Sequence, residues 1–245
     1  MDIYVVILST LIIFFASSVQ GAIGFGYALI AVSLLSFLLP MKIIVPVIVI
    51  SSFINNMIVA YSTKNFIDIG RIWLMILFGA LGIPLGVYAL TTVNPELLKL
   101  VVGTLILINS IFMIKGYSIK FKRAKLAYSS VGFISGVLNG SVSISGPPIA
   151  LFLNNEGYSK DEFRASFAVY GFIENILTII TLGFDGLLSK YMFSVLAINI
   201  IPLLLGSLLG IFISNKISNS HFKKIVLFFL IIISVVIIIN SLMPN

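Results

Sequence analysis

Residues 17–26 read Ser17-Ser18-Val19-Gln20-Gly21-Ala22-Ile23-Gly24-Phe25-Gly26, and residues 139–148 read Asn139-Gly140-Ser141-Val142-Ser143-Ile144-Ser145-Gly146-Pro147-Pro148. Each stretch interrupts an apolar run that is too long for one membrane crossing. The first run covers about 3–39 and contains no charge; the second covers about 126–153. A helix rises about 1.5 Å per residue, and a hydrocarbon core of about 30 Å takes about 20 residues to cross. Glycines and a Pro-Pro pair disfavour continuous helix. Non-helical backbone at membrane depth persists only where protein or a water-filled cavity satisfies it. Both stretches therefore predict the tips of broken or re-entrant helices.

The rest of the chain fits the same solvent. Of 245 residues 60% are hydrophobic and 9% charged, and the mean hydropathy is +1.19. That leaves too few charges to coat a soluble globule of this size. Further apolar segments fall at about 43–61, 72–92, 97–114, 163–183, 191–214 and 221–242, leaving no room for a soluble domain. Met1-Asp2-Ile3 carries no basic region ahead of the first run, so a retained membrane segment is expected, not a cleaved signal peptide. The absence of cysteine excludes thiol catalysis, disulfides and thiolate metal sites. The formal charge of +7 lies in short loops between apolar runs, which reads as membrane orientation and not as a nucleic-acid surface.

The two interruptions belong to an internal repeat. Gln20-Gly21 matches Asn139-Gly140, and Phe53-Ile54-Asn55-Asn56 matches Phe172-Ile173-Glu174-Asn175, both at an offset of 119 residues. Gly82, Gly86 and Lys99 match Gly206, Gly210 and Lys223 at an offset of 124. The expected organisation is an N-terminal membrane repeat over 1–117, a basic cytoplasmic linker over 118–125 and a C-terminal membrane repeat over 126–245. The expected fold is an all-α polytopic membrane protein. Each half holds a broken or re-entrant helical hairpin and three transmembrane helices.

Charge distribution separates two topologies. Eight simple crossings divide the Lys and Arg residues almost evenly between the two sides. If each broken segment leaves on the side it enters, the halves are inverted. One side then holds Lys64, Arg71, Lys115, Lys120, Lys122, Arg123, Lys125, Lys160, Arg164, Lys216, Lys223 and Lys224. The other keeps Lys42, Lys99 and Lys190. This bias obeys the positive-inside rule. Inverted repeats with both termini outside the cytoplasm are therefore expected in the cell membrane.

Inverted repeats with broken helices bind substrate near the midplane in many secondary transporters. The expected binding residues are Gln20, Gly21, Gly24 and Gly26 at the first tip, with Asn55 nearby. From the second tip come Asn139, Gly140, Ser141, Ser143, Ser145 and Gly146. Amide and hydroxyl donors, close glycine backbone and a half-helix opened by Pro147-Pro148 suit an oxyanion. Isolated Gly79, Gly82 and Gly86 read as helix-packing positions. Glu174 is the one acidic residue deep inside an apolar segment, which marks it for proton coupling or gating, with Asn175 and Tyr170 beside it. A structural hydrogen-bonding role for Glu174 stays open. Arg164, near a segment start, reads either as an anion attractor or as an interfacial anchor.

Other chemistries find less support. Serine hydrolysis by Ser141, Ser143 or Ser145 needs a base, and the sole histidine, His221, sits at an expected helix end. Gly24-Phe25-Gly26 lacks the third glycine and the preceding strand of a phosphate loop. No cofactor, metal site or ATP-binding motif is expected.

At these residues the chain resembles the sulfite exporter TauE/SafE family of membrane anion permeases. The resemblance runs from the early glycine-rich break through the basic linker. It is strongest between Gly132 and Gly171, at Gly136, Asn139-Gly140, Ser145-Gly146-Pro147 and Arg164. It implies a secondary permease for a small anion such as sulfite, thiosulfate or a sulfonate, not an enzyme, with that anion and the lipid bilayer as partners. An anion or water channel of similar architecture is the alternative, and an intramembrane hydrolase a more distant one. Oligomeric state is not readable.

Overall fold

In a bilayer no water satisfies the backbone, so these apolar runs become helices that close their own hydrogen bonds. The computed structural model describes residues 3–35, 37–92 and 124–242, with scattered positions between 94 and 115. The helix expected at about 97–114 and most of the 118–125 linker lie outside the described residues. Every regular element among the described residues is helical: α1 (Ile3–Ile23), α2 (Tyr27–Leu35), α3 (Met41–Ser62), α4 (Ile69–Thr92), α5 (Ala124–Val142), α6 (Gly146–Asn155), α7 (Lys160–Phe184), α8 (Lys190–Ser214) and α9 (Asn219–Leu242), with one 3-10 turn at Lys64–Phe66. Five of the described helices, α1, α3, α4, α7 and α8, are long and apolar enough to cross a membrane.

Local sequence explains the ends. Ser159 caps α7 through a reciprocal box: its hydroxyl accepts the Glu162 N–H, and Glu162 accepts the Ser159 N–H at 2.9 Å. Ser189 caps α8 in the simpler form, accepting the Met192 N–H at 3.2 Å.

The breaks are shorter than the sequence suggested. They fall at Gly24-Phe25-Gly26 and Ser143-Ile144-Ser145, while Ser17–Ile23 and Asn139–Val142 remain helical. The polar residues stay helical because the helix itself satisfies them. Ser18 donates to the Phe14 carbonyl and Ser141 to the Val137 carbonyl, both at 2.8 Å. The chain turns only where the backbone enters the left-handed region, with φ of 85° at Gly24, 105° at Gly26 and 57° at Ser143.

Glycine seams join the helices in two matching pairs. On α4, Gly82 lies against the Phe133 carbonyl and Gly86 against the Val137 carbonyl of α5. On α8, Gly206 lies against the Phe14 carbonyl and Gly210 against the Ser18 carbonyl of α1. Residues 14 and 133, and 18 and 137, are separated by 119. Residues 82 and 206, and 86 and 210, are separated by 124. The contacts therefore repeat at the same offsets as the sequence. In both seams the residue numbers rise together, so α4 runs parallel to α5 and α1 parallel to α8.

At the centre α3 packs against α7, with Phe53 stacked on Phe172 at 4.9 Å between ring centroids. These two residues are themselves repeat counterparts. Val45 and Val49 at the start of α3 share a buried cluster with Ile83, Val87 and Leu90 late in α4 and Leu182 late in α7. Arg71 and Glu162 pair at 3.6 Å where α4 and α7 begin. Thus α3 runs against α4 and α7, and α1, which is parallel to α8, starts from the same side as α3. The α1–α2 segment returns to the side from which it came, as α5–α6 does for α7.

Candidate functional site

Two amide pairs mark the centre of the molecule. Gln20 Nε2 donates to Asn56 Oδ1 at 2.7 Å, and Asn139 Nδ2 donates to Asn175 Oδ1 at 3.3 Å. The four residues are buried, and both pairs obey the 119-residue offset. Gln20 also ties its own tip, since Oε1 accepts the Tyr27 N–H at 3.2 Å. Asn139 reaches further along α7 to Thr178 Oγ1 at 3.0 Å. Buried amides need such partners to offset lost hydration, and here each is held by a helix of the other type.

Between these pairs lies a cavity of about 30 Å³. Gln20, Gly26, Asn139, Ser143, Ser145, Gly146 and Asn175, all expected from sequence, line it. Asn56, Ser52, Gly171 and Phe167 complete the wall, with Ala28 and Leu29. The volume suffices for one or two water molecules. The positive end of α6 opens here, but Pro147 and Pro148 lack N–H groups, so its first turn supplies fewer donors than an ordinary helix start. No charged side chain lines the cavity among the described residues.

The other expected residues lie elsewhere. Gly21 faces Ser207 and Gly210 on α8, and Gly140 faces Ile83, Gly86 and Val87 on α4. Both positions are helix seams. Ser141 is turned back onto its own helix. Asn55 donates to Ser17 Oγ at 3.2 Å, and its Oδ1 has no partner among the described residues.

Glu174 is fully buried, and neither carboxyl oxygen has a hydrogen-bond partner among the described residues. It sits over Gly79 with Tyr170: a Cβ there would lie 2.5 Å from the Tyr170 hydroxyl and 2.7 Å from Glu174 Oε1. Tyr170 donates to the Gly132 carbonyl at 3.3 Å and not to Glu174. The missing side chain at Gly79 therefore makes the space for both polar groups.

Arg164 lies under the first tip, 2% exposed. Its Nη2 donates to the Gly21 carbonyl at 2.9 Å, its Nη1 is 3.6 Å from Asp161 Oδ1, and its Nε has no partner among the described residues. A guanidinium at the carbonyl end of α1 complements the helix dipole. His221 is exposed and bonds Ser218 at 2.7 Å.

A family model described as sulfite exporter TauE/SafE matches residues 9–237. The chain belongs to the sulfite exporter TauE/SafE family. No curated protein and no solved structure matches it. As a TauE/SafE protein it is a multi-pass membrane transport protein, and the matched span includes both breaks and both glycine seams. In this TauE/SafE chain the wall residues Ser52, Gly171, Phe167, Ala28 and Leu29 escaped the sequence reading. Ser52 and Gly171 occupy repeat-equivalent positions, one residue before the Phe53 and Phe172 match, and extending the repeat by that one residue would have found them. Phe167 carried no such signal, being one apolar residue among many.

Proposed function

We propose that the protein is a secondary permease for a small sulfur-containing anion such as sulfite, thiosulfate or a sulfonate. The anion binds in the midplane cavity between the two tips. The observation that carries this reading is that both breaks contribute to one polar cavity, through repeat-equivalent amides. Amide and hydroxyl donors and the α6 terminus recognise an oxyanion without a fixed positive charge, which favours release as well as binding. A polyatomic anion exceeds the present cavity, so loading it requires the tips to part. That requirement supports a carrier over an open channel.

Two inverted halves, 1–117 and 126–245, move about this site in alternation. Their support is the reversed direction of each repeat pair: α1 against α5, α3 against α7, and α4 against α8. The charge bias supports an orientation with the starts of α4 and α7 at the cytoplasmic face and both termini outside. Glu174 couples the cycle to protons, with Tyr170 and Asn175 on the same helix beside it. An ionised carboxyl without donors at this depth is costly, so gain or loss of its proton accompanies rearrangement around Gly79.

The test is flux of labelled sulfite, thiosulfate and methanesulfonate into proteoliposomes, comparing the native protein with Gln20→Ala and Asn139→Ala. Saturable flux, with KM raised in each variant, is expected. Non-saturating flux would identify a channel. No flux of any of these anions by folded protein would remove the substrate class.

A further inference from the structure

We propose that Arg164 is the first ligand of the transported anion, and that the anion opens the first tip by taking Arg164 from the Gly21 carbonyl. This rests on the permease reading and adds to it a gate with a chemical trigger.

Arg164 holds the first tip closed. It bonds the carbonyl of Gly21, three residues before the turn, at 2.9 Å. The turn itself rests on Arg164: a Cβ at Gly24 would lie 2.7 Å from its Cγ. The adjacent Phe25 packs between Phe163, Phe167 and Phe229, with ring centroids 5.7–5.9 Å away. Phe167 also forms part of the cavity wall. An aromatic plug thus stands between the cavity and the starting end of α7, carried on the tip that Arg164 latches.

The repeat supplies an internal comparison. Gly24 on Arg164 corresponds to Ser143 on Val45, and Ser143 Oγ bonds the Val45 carbonyl at 3.3 Å. Phe25, Phe163 and Phe167 correspond to Ile144, Ile44 and Ile48, which are fully buried. Both exits are therefore closed by related apolar contacts, but among the described residues a buried cation stands only at the α7 exit, since Lys42 at the start of α3 is exposed. An anion meets a buried guanidinium at the α7 exit, where the repeat counterpart at the α3 exit is the apolar Val45.

The chemistry favours exchange. Guanidinium binds an oxyanion by charge-assisted, often bidentate, hydrogen bonds, stronger than a bond to a neutral carbonyl. Its Nε is buried and unpartnered, and so is available as the second donor. Asp161, the competing carboxylate, is one-third exposed and stands 3.6 Å away, beyond good hydrogen-bond length. Once the anion takes the guanidinium, α1 loses the bond that fixes its carbonyl end, and Phe25 can leave the plug.

Hydrogen exchange of the full chain in nanodiscs, with sulfite as the probe, tests this. In the native protein sulfite should accelerate exchange in the peptide containing Phe25 to Ala28. In Arg164→Gln that peptide should exchange fast without sulfite and show no further response. Arg164→Lys should keep the response at roughly tenfold higher sulfite, the loss expected when a point charge replaces the fork. A sulfite response that survives in Arg164→Gln overturns the proposal. Should that variant not fold, an unchanged sulfite midpoint in Arg164→Lys overturns it equally. Sulfite flux by the native protein without an exchange response overturns the latch and leaves the permease standing. Absence of both overturns the permease reading and the latch together.

Discussion

Replacing Gly140 with alanine separates helix packing from ligand binding. A Cβ at this position would stand 2.5 Å from the Ile83 carbonyl oxygen, 2.8 Å from Val87 N and 3.1 Å from the Gly86 carbonyl carbon. All three are backbone atoms of α4, so no side chain can swing aside. Carbon contacts become optimal at about 3.5–4.0 Å, so the seam must open by about 1 Å to admit one methyl group. Overpacking of this kind costs about 1–3 kcal/mol. For a chain of this size each kcal/mol lowers Tm by about 2–4 °C, giving a fall of about 2–12 °C. The assay is thermal unfolding of purified protein in detergent, with the KM for anion flux measured in parallel. Gly21→Ala, whose Cβ would lie 3.0 Å from Gly210 Cα, should fall by a similar amount because it occupies the matching seam. An unchanged Tm together with a raised KM in Gly140→Ala would refute the reasoning and return Gly140 to the anion site.

Glu174→Gln should fold with near-native Tm, because among the described residues the carboxyl makes no hydrogen bond that the amide would lose. Anion flux in this variant should no longer respond to a pH gradient, and a retained response assigns coupling elsewhere. Ser143→Ala should destabilise the second tip by about 1 kcal/mol through loss of the bond to Val45. Ser143→Gly loses the same bond but relieves the left-handed backbone, so it should melt about 2–4 °C above the alanine variant. A reporter fused after Asn245 should be active outside the cytoplasm; a cytoplasmic signal would exclude the inverted arrangement in this orientation.

Hydrophobic run length located the helices well, because in a bilayer the solvent enforces it. Where run length was ambiguous, the repeat indicated that residues 20 and 139 belong together, and the amide pairs obey the same offset. Glycine was harder to interpret. Gly26 and Gly146 border the cavity while Gly21 and Gly140 face neighbouring helices, and nothing in the local sequence distinguishes a backbone that must approach a ligand from one that must approach another backbone. Each break occupies only part of the stretch read for it, because Ser18 and Ser141 find acceptors within their own helices and let helix continue through the polar residues. Arg164 was legible only as a charge near a segment start, anion attractor or interfacial anchor, and its partner is a carbonyl 143 residues away in sequence. Charge patterning cannot reveal an acceptor that every residue possesses.

The two glycine seams also constrain how the chain is made. α1 packs along α8, and α5 along α4, so the opening helix of each half is completed by a helix of the other. As the polypeptide leaves the ribosome, α1 enters the bilayer with its seam uncovered until α8 is synthesised, almost two hundred residues later. Until then Ser9 lacks Asn199 of α8, whose amide donates to its hydroxyl at 3.4 Å in the finished protein, whereas Ser17 and Gln20 meet Asn55 and Asn56 as soon as α3 is made. A chain released after the first half is therefore an unfinished surface, and the two halves, however alike, mature only together.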